Sequence, residues 1–253
     1  MVRHKVRTSI LPIMALVLAC SFAMLAQSST SNIPTPENWK QATPNISQAD
    51  LTGQKDVVRQ ERSAVFDDKR SDAPRLDSLE AKSSNKQGAF PPYFARIPAI
   101  PAQESDTIIV GTVTAVQSYF SNDHTHLYTE FTVSVDQQIK DNTHRTQPGG
   151  TISIVIPGGR LRLADGRTIA EKPAYTNFTI AKDSRYVFFL RNVAVGQYFS
   201  VVKNWELKNG GLIPTAHEDQ MDEREGKSQY SSMTEGSFIQ AARQAVKSGQ
   251  DEQ

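Results

Sequence analysis

The chain has 253 residues, 38% apolar and 22% charged, with a net charge of +1. This length suits one or two domains, and the neutral balance lacks the basic footprint of a nucleic-acid binder. A single cysteine, Cys20, excludes the small disulfide-stapled classes, so the fold has to stand on its own apolar core.

The first element predicted is an export signal. Arg3, Lys5 and Arg7 precede an apolar run over 10–26, and polar residues follow from Gln27. A basic tip before an apolar segment is the form of a secretory signal, with cleavage after Ala26 or Ala23. The run also sits at the short limit for a retained membrane anchor. Cys20 follows Val17, Leu18 and Ala19, a loose likeness to a bacterial lipobox in which Leu18 is larger than the pattern wants. Export places the chain in the periplasm or outside the cell. Membrane contact is then expected only through residues 1–26, if these are uncleaved or lipidated at Cys20.

Residues 27–104 are poor in large apolar side chains and rich in Ser, Asn, Gln, Asp, Lys and Pro. Such a composition buries too little to offset ordering entropy, so a flexible lead is expected. Within it, Ser47 is placed to cap a helix over 50–66, with Leu51, Val57, Val58, Val65 and Phe66 on one side and Gly53 inside. The proline-rich stretches 90–94 and 97–101 predict an extended strap lying on the following domain.

That domain spans 105–214 and reads as strands separated by turn signals. Residues 107–119 are apolar on both faces at first, and Gly111 predicts a bulge or bend. In 127–136 the alternation is strict. Leu127, Thr129, Phe131, Val133 and Val135 share one face, and Tyr128, Glu130, Thr132, Ser134 and Asp136 the other. A period of two predicts a strand with one buried and one wet side. Further strands are expected over 151–156, 160–163, 168–170, 186–190, 198–208 and 212–214, with a hairpin through Asp165-Gly166 and a turn at 209–211. Seven or eight short strands of this kind make a mainly β fold, an antiparallel barrel rather than an α/β plan. The tail, 215–253, is an acidic loop over 219–225 followed by a helix. Thr234 or Ser237 caps that helix, Phe238, Ile239, Ala242, Ala245 and Val246 share its buried face, and Gly249 closes it.

The runs 110–116, 128–136, 149–154, 157–159 and 185–190 resemble uncharacterised exported bacterial proteins. The resemblance implies a core like the OB-type barrel of netrin-like and tissue-metalloprotease-inhibitor-like modules, over roughly 105–214. It does not imply protease inhibition. The animal inhibitors chelate zinc through an N-terminal cysteine, and this chain has none once the signal is removed.

Several constellations carry chemistry by residue type. His124 and His126 form a His-x-His pair beside Asp123, a start for zinc or copper that still needs further ligands. Arg160 and Arg162 face outward from a strand with Arg167 across the hairpin, and Tyr128 adds an aromatic face; forks and rings of this kind suit carboxylates and sugars. There is no Gly-x-Ser-x-Gly elbow, and the paired glycines at 149–150 and 158–159 lack the context of a phosphate-binding loop. No cofactor is implied. The expectation is therefore a non-catalytic exported module binding a protein or glycan of the cell envelope or exterior. The alternative is a metal-binding protein or metal-dependent enzyme using His124 and His126.

Overall fold

The structure, a computed structural model, describes Ser47–Gln48, residues 57–70, 72–78, 97–171 and 180–216, Gln220, Tyr230 and residues 232–250. The elements in order are β1 (Ser47–Gln48), α1 (Val57–Ala64), β2 (Thr107–Phe120), β3 (Leu127–Asp141), β4 (Thr151–Pro157), β5 (Gly159–Arg162), β6 (Thr168–Glu171), β7 (Arg185–Val193), β8 (Tyr198–Lys208), β9 (Gly211–Pro214) and α2 (Glu235–Gln250). Residues 1–26 with the expected signal and Cys20, Asp219 and residues 221–225 of the expected acidic loop, and residues 90–94 of the strap lie outside the described residues.

The main sheet runs β4-β3-β2-β7-β8-β9, and β4 also pairs with β8. That last pairing is parallel, at Ile154 and Phe199, whereas the other neighbours are antiparallel. Among the five long strands, the first lies between the second and the fourth, and the third closes on the fifth. This is the order of an OB barrel, a five-stranded and partly open Greek-key ring.

Alternation along each strand fills the ring. Phe131, Val133 and Val135 of β3 meet Ile109 and Val113 of β2, Ile152 and Ile154 of β4, and Phe188 of β7 inside it. Gly111 is where β2 comes close to its neighbour. A Cβ there would lie 2.7 Å from the Ser134 carbonyl oxygen, and the β2–β3 register shifts between Val110 and Gly111. The bulge or bend expected at this glycine is seen as that register shift.

The second apolar face of β2 explains its early double-sided pattern. Ile108 and Val110 point outward and join Val187, Phe189, Trp205, Leu207 and Leu212 under α2. Thr234 caps α2, its hydroxyl accepting from the Ser237 amide at 3.3 Å. Phe238, Ile239 and Ala242 are buried on the barrel, with Ala245 and Val246 packed beside them. Gly249 does not close the helix, which continues to Gln250. The Gln103 side chain occupies the space a Cβ at 249 would need, and its amide donates to the Ala245 carbonyl at 3.1 Å.

Polar groups fasten the strap. The Trp205 indole donates to the Ala99 carbonyl at 3.0 Å, Lys203 to Ile97 at 3.2 Å, and Lys140 to Ala102 and Ser105. Lys203 is buried, so its bond to a carbonyl offsets part of the cost of placing an ammonium there.

The hairpin of β5 and β6 turns at Gly166, whose φ is +87°, as the Asp-Gly signal predicts. Its outer edge pairs in parallel with β1, Ser47 against Leu161 and Gln48 against Arg162. Ser47, expected as a helix cap, is thus a strand residue, because the open edge of β5 offers unpaired backbone groups. Within the span expected to be helical, the described residues form α1 only as far as Ala64, and Val65 and Phe66 lie in the turn that follows.

Phe238 meets Trp205 at 5.3 Å, Tyr230 at 5.9 Å and Phe189 edge-on at 6.5 Å. Phe238→Ala is expected to cost about 3–5 kcal/mol, read as a lowered urea midpoint. A loss below about 1 kcal/mol would show that α2 does not unfold with the barrel.

Candidate functional site

The outer face of β3 was expected to be wet, and at Tyr128 it is not. Tyr128 is fully buried although it points away from the barrel interior. The reason is α1, which lies over this side. Phe66, just past the helix, stacks on the Tyr128 ring at 4.8 Å, and the Ser63 hydroxyl shares a 2.8 Å hydrogen bond with the Tyr128 hydroxyl. Burial raises the Tyr128 pKa above the usual phenol value, against the opposing pull of Ser63 and Arg62.

In-register neighbours build the face. Tyr119 of β2 stands opposite Tyr128, Gln117 opposite Glu130, and Ala115 opposite Thr132, which in turn faces Ser153 of β4. The rings of Tyr119 and Tyr128 lie 5.6 Å apart, and Tyr198 from the start of β8 joins the same cluster with Val155 and Val193. Two turns bound the face: residues 121–126 between β2 and β3, and 194–197 between β7 and β8. In OB barrels the second and third strands and these two loops are the surfaces that bind oligonucleotides and oligosaccharides.

Arg62 is the centre of the α1 contact. Its guanidinium pairs with Glu130, its Nε donates to the Gly196 carbonyl at 2.9 Å, and its Nη2 to the Gln197 carbonyl at 3.4 Å. The charged group also lies 5.8 Å from the Tyr198 ring centre. The side chains of Arg62 and Glu130 are 8% and 12% exposed, so both charges are largely out of water. Such a pair is tolerable only with the extra acceptors supplied here by the turn. Gly196 has φ +75°, and a Cβ there would lie 2.6 Å from the Arg62 Cα. Glycine therefore serves twice, allowing the left-handed turn and admitting the helix backbone.

Beside this contact a cleft of about 350 Å³ remains between helix and sheet, lined by Arg59, Gln117, Tyr119, Glu130, Thr132 and Ser153 among others. Arg59 covers the Tyr119 ring at 4.6 Å. Hydroxyls, an amide and charged groups line it, a surface for polar rather than greasy contacts.

After α1 the chain is latched to the 121–126 turn. The Asp68 amide donates to the Asp123 carboxylate at 2.8 Å, the Asp123 amide to Asp67 at 3.1 Å, and the Leu76 amide to the His124 carbonyl at 2.8 Å. Here the expected histidine pair is divided. His124, at φ 61°, stacks on Phe120 and directs Nδ1 to Asp77 at 2.7 Å, whereas His126 directs Nδ1 to Glu171 at 2.7 Å. Among the described residues no group of three or more His, Cys, Asp or Glu side chains is arranged to hold a metal ion.

The arginine group is divided as well. Arg160 is half-buried and Arg162 exposed, with Leu161 and Leu163 turned inward as expected. Arg167 pairs with Asp165 at 2.7 Å and donates to the Asp77 carbonyl at 3.3 Å. Tyr128 is engaged by α1 and not left open as a ring for a ligand beside these arginines. Among the described residues no helix is long and apolar enough to cross a membrane. No family model matches the chain, and no curated protein matches it.

Charge holds the latch. Arg75, and more weakly His124, keep Asp77 below the usual carboxylate range against the cost of burial. Burial pushes Asp123 up, but hydrogen bonds from Ser121, Thr125 and Asp68 together outweigh it and lower the pKa. Both groups therefore contribute stability above the ordinary carboxylate pKa of about 4, and the contribution is lost as pH falls through it toward their lowered values. Between pH 5 and pH 3, the opening of the Asp68 and Leu76 amides, corrected for intrinsic exchange, is expected to rise roughly tenfold. In Asp123→Ala the Asp68 amide is already open at pH 5. Unchanged protection at pH 3 would show that these carboxylates do not hold the segment.

Proposed function

We propose that this protein is a non-catalytic exported interaction module that binds a partner protein of the cell envelope or exterior through the outer face of its barrel. The observation that carries it is that this face holds a polypeptide segment, α1, by hydrogen bonds to two turn carbonyls and a buried ion pair. Acceptors converging on one guanidinium favour a peptide over a sugar, whose hydroxyls make weaker neutral bonds. Export rests on the basic tip and apolar run of residues 1–26. The likeness to netrin-like and tissue-metalloprotease-inhibitor-like modules is part of the proposal, and it concerns the barrel and not their activity.

Two experiments test it. The secreted or periplasmic protein is expected to begin near Gln27 by N-terminal sequencing; a chain found only in the cytoplasm would overturn the export half. Residues 27–253, immobilised and exposed to an envelope extract of the host, are expected to retain a defined protein. Glu130→Gln is expected to lower that retention about tenfold. Retention unchanged by Glu130→Gln would move the binding surface elsewhere, and turnover of a substrate abolished by one substitution would overturn the non-catalytic assignment.

A further inference from the structure

The two helices among the described residues are held in opposite ways. α2 buries Phe238, Ile239 and Ala242, an apolar stripe that belongs to the core. α1 buries Arg62 and Ser63, while its Val57 is 65% exposed and Val65, just past it, 43% exposed. A helix of this length is not stable alone in water. Its buried ion pair returns little net energy, because desolvating both charges cancels most of their attraction. α1 therefore sits on the barrel as a ligand sits on a receptor, through directional polar contacts and the Phe66 ring.

The receptor side is specific. Glu130 and the Gly196 and Gln197 carbonyls are all acceptors, and they surround one point beside the Tyr198 ring. Together they form a socket for a guanidinium, whose fork carries donors and no acceptor. Gly196 lacks a side chain where the backbone of the incoming helix passes. The site thus recognises both an arginine and the helix that carries it. Asn122 adds a contact to that helix by donating to the Gln60 carbonyl at 3.0 Å.

We propose that α1 is a resident stand-in for an arginine-bearing helical segment of a partner protein, which displaces α1 and places its own arginine in the Glu130–Gly196–Gln197 socket. The inference rests on the proposed partner-binding role of this face and names the chemistry of the partner. Because α1 is part of the same chain, it competes with any incoming segment as an intramolecular ligand. The intact protein is therefore closed to weak ligands and opens only to a segment that fits better than α1.

The test uses the chain from residue 27 and a fluorescein-labelled peptide of its own residues 57–70. Fluorescence anisotropy is expected to show the peptide binding the Arg62→Ala chain at least tenfold more tightly than the wild-type chain, because the resident arginine is gone. Adding Glu130→Gln to that chain is expected to weaken binding at least tenfold, and so is replacing the peptide's arginine at position 62 by alanine. Gly196→Asn on the Arg62→Ala background is expected to abolish binding: asparagine tolerates the left-handed turn, but its Cβ stands where the helix passes. Circular dichroism and the urea midpoint check that each barrel is folded, and Arg62→Met, which keeps the stem, replaces Arg62→Ala if that chain does not fold.

Equal binding to wild-type and Arg62→Ala chains, no binding to either, or equal binding of the alanine peptide would overturn the inference. Competition by free L-arginine as effective as by the peptide would overturn the helical part of it. A shift of the Arg62→Ala chain to a dimer, with no peptide bound, would assign the socket to a second copy and overturn the partner. Capture from the envelope extract that depends on Glu130, with no peptide binding, would sink this inference and leave the binding module standing. Peptide binding without any capture would overturn the partner and leave only the socket's fit to the chain's own arginine-bearing helix.

Discussion

Closing five strands into a ring satisfies the barrel's interior and creates a second problem on its outside. The parallel pairing of Ile154 with Phe199 joins the third strand to the fifth, and only then do Phe131, Val133, Ile109 and Phe188 share one core. A ring this small cannot enclose all the apolar residues its strands carry, so Ile108, Val110, Val187, Phe189 and Trp205 face outward. Each outward patch has to be covered by chain from beyond the barrel. α2 and the 97–105 strap cover one side, and α1 with the segment after it covers another. The decoration follows from the closure.

Much of this was legible in residues 107–214, because strands announce themselves by period. The alternation of 127–136 assigns inner and outer faces correctly at Phe131, Val133 and Val135, and the glycines at 111 and 166 mark a register shift and a turn. Where the reading stops short, the missing information is tertiary. Tyr128 lies on the outward face as its position requires, and it is buried because another part of the chain arrives there. A period of two says which way a side chain points and nothing about what comes to lie on it.

The α1 contact was illegible for a different reason. Composition identifies packed segments by their large apolar residues, and this helix packs through Arg62 and Ser63. The signal that could have found it is Gly196, a glycine in a short turn between two apolar strands, where the turn sequence alone accounts for the positive φ but not for the approach of a second backbone. His124 and His126 show the converse. Their spacing suits a shared metal, but the turn aims each ring at its own carboxylate, Asp77 for one and Glu171 for the other. Spacing in sequence defines a site only when the local backbone keeps both side chains on one face.

An OB barrel is left with the surface of its second and third strands as its most accessible sheet, and a protein has two ways of managing it. It can cover the surface permanently with apolar residues, as this barrel does under α2, or with polar residues whose contacts are directional and break one by one. Arg62 on Glu130 and on the 194–197 turn is the second kind. Apolar cover is present too, since Phe66 stacks on Tyr128 and packs with Val155 and Tyr198, but burying an arginine beside it carries a desolvation cost that the ring alone does not. The charge pair added to that ring ties the cover to a particular geometry. An apolar helix slides on an apolar face, whereas a guanidinium held by a carboxylate and two carbonyls has one seat. Arg62 therefore fixes where α1 lies on this face more narrowly than the Phe66 ring alone would.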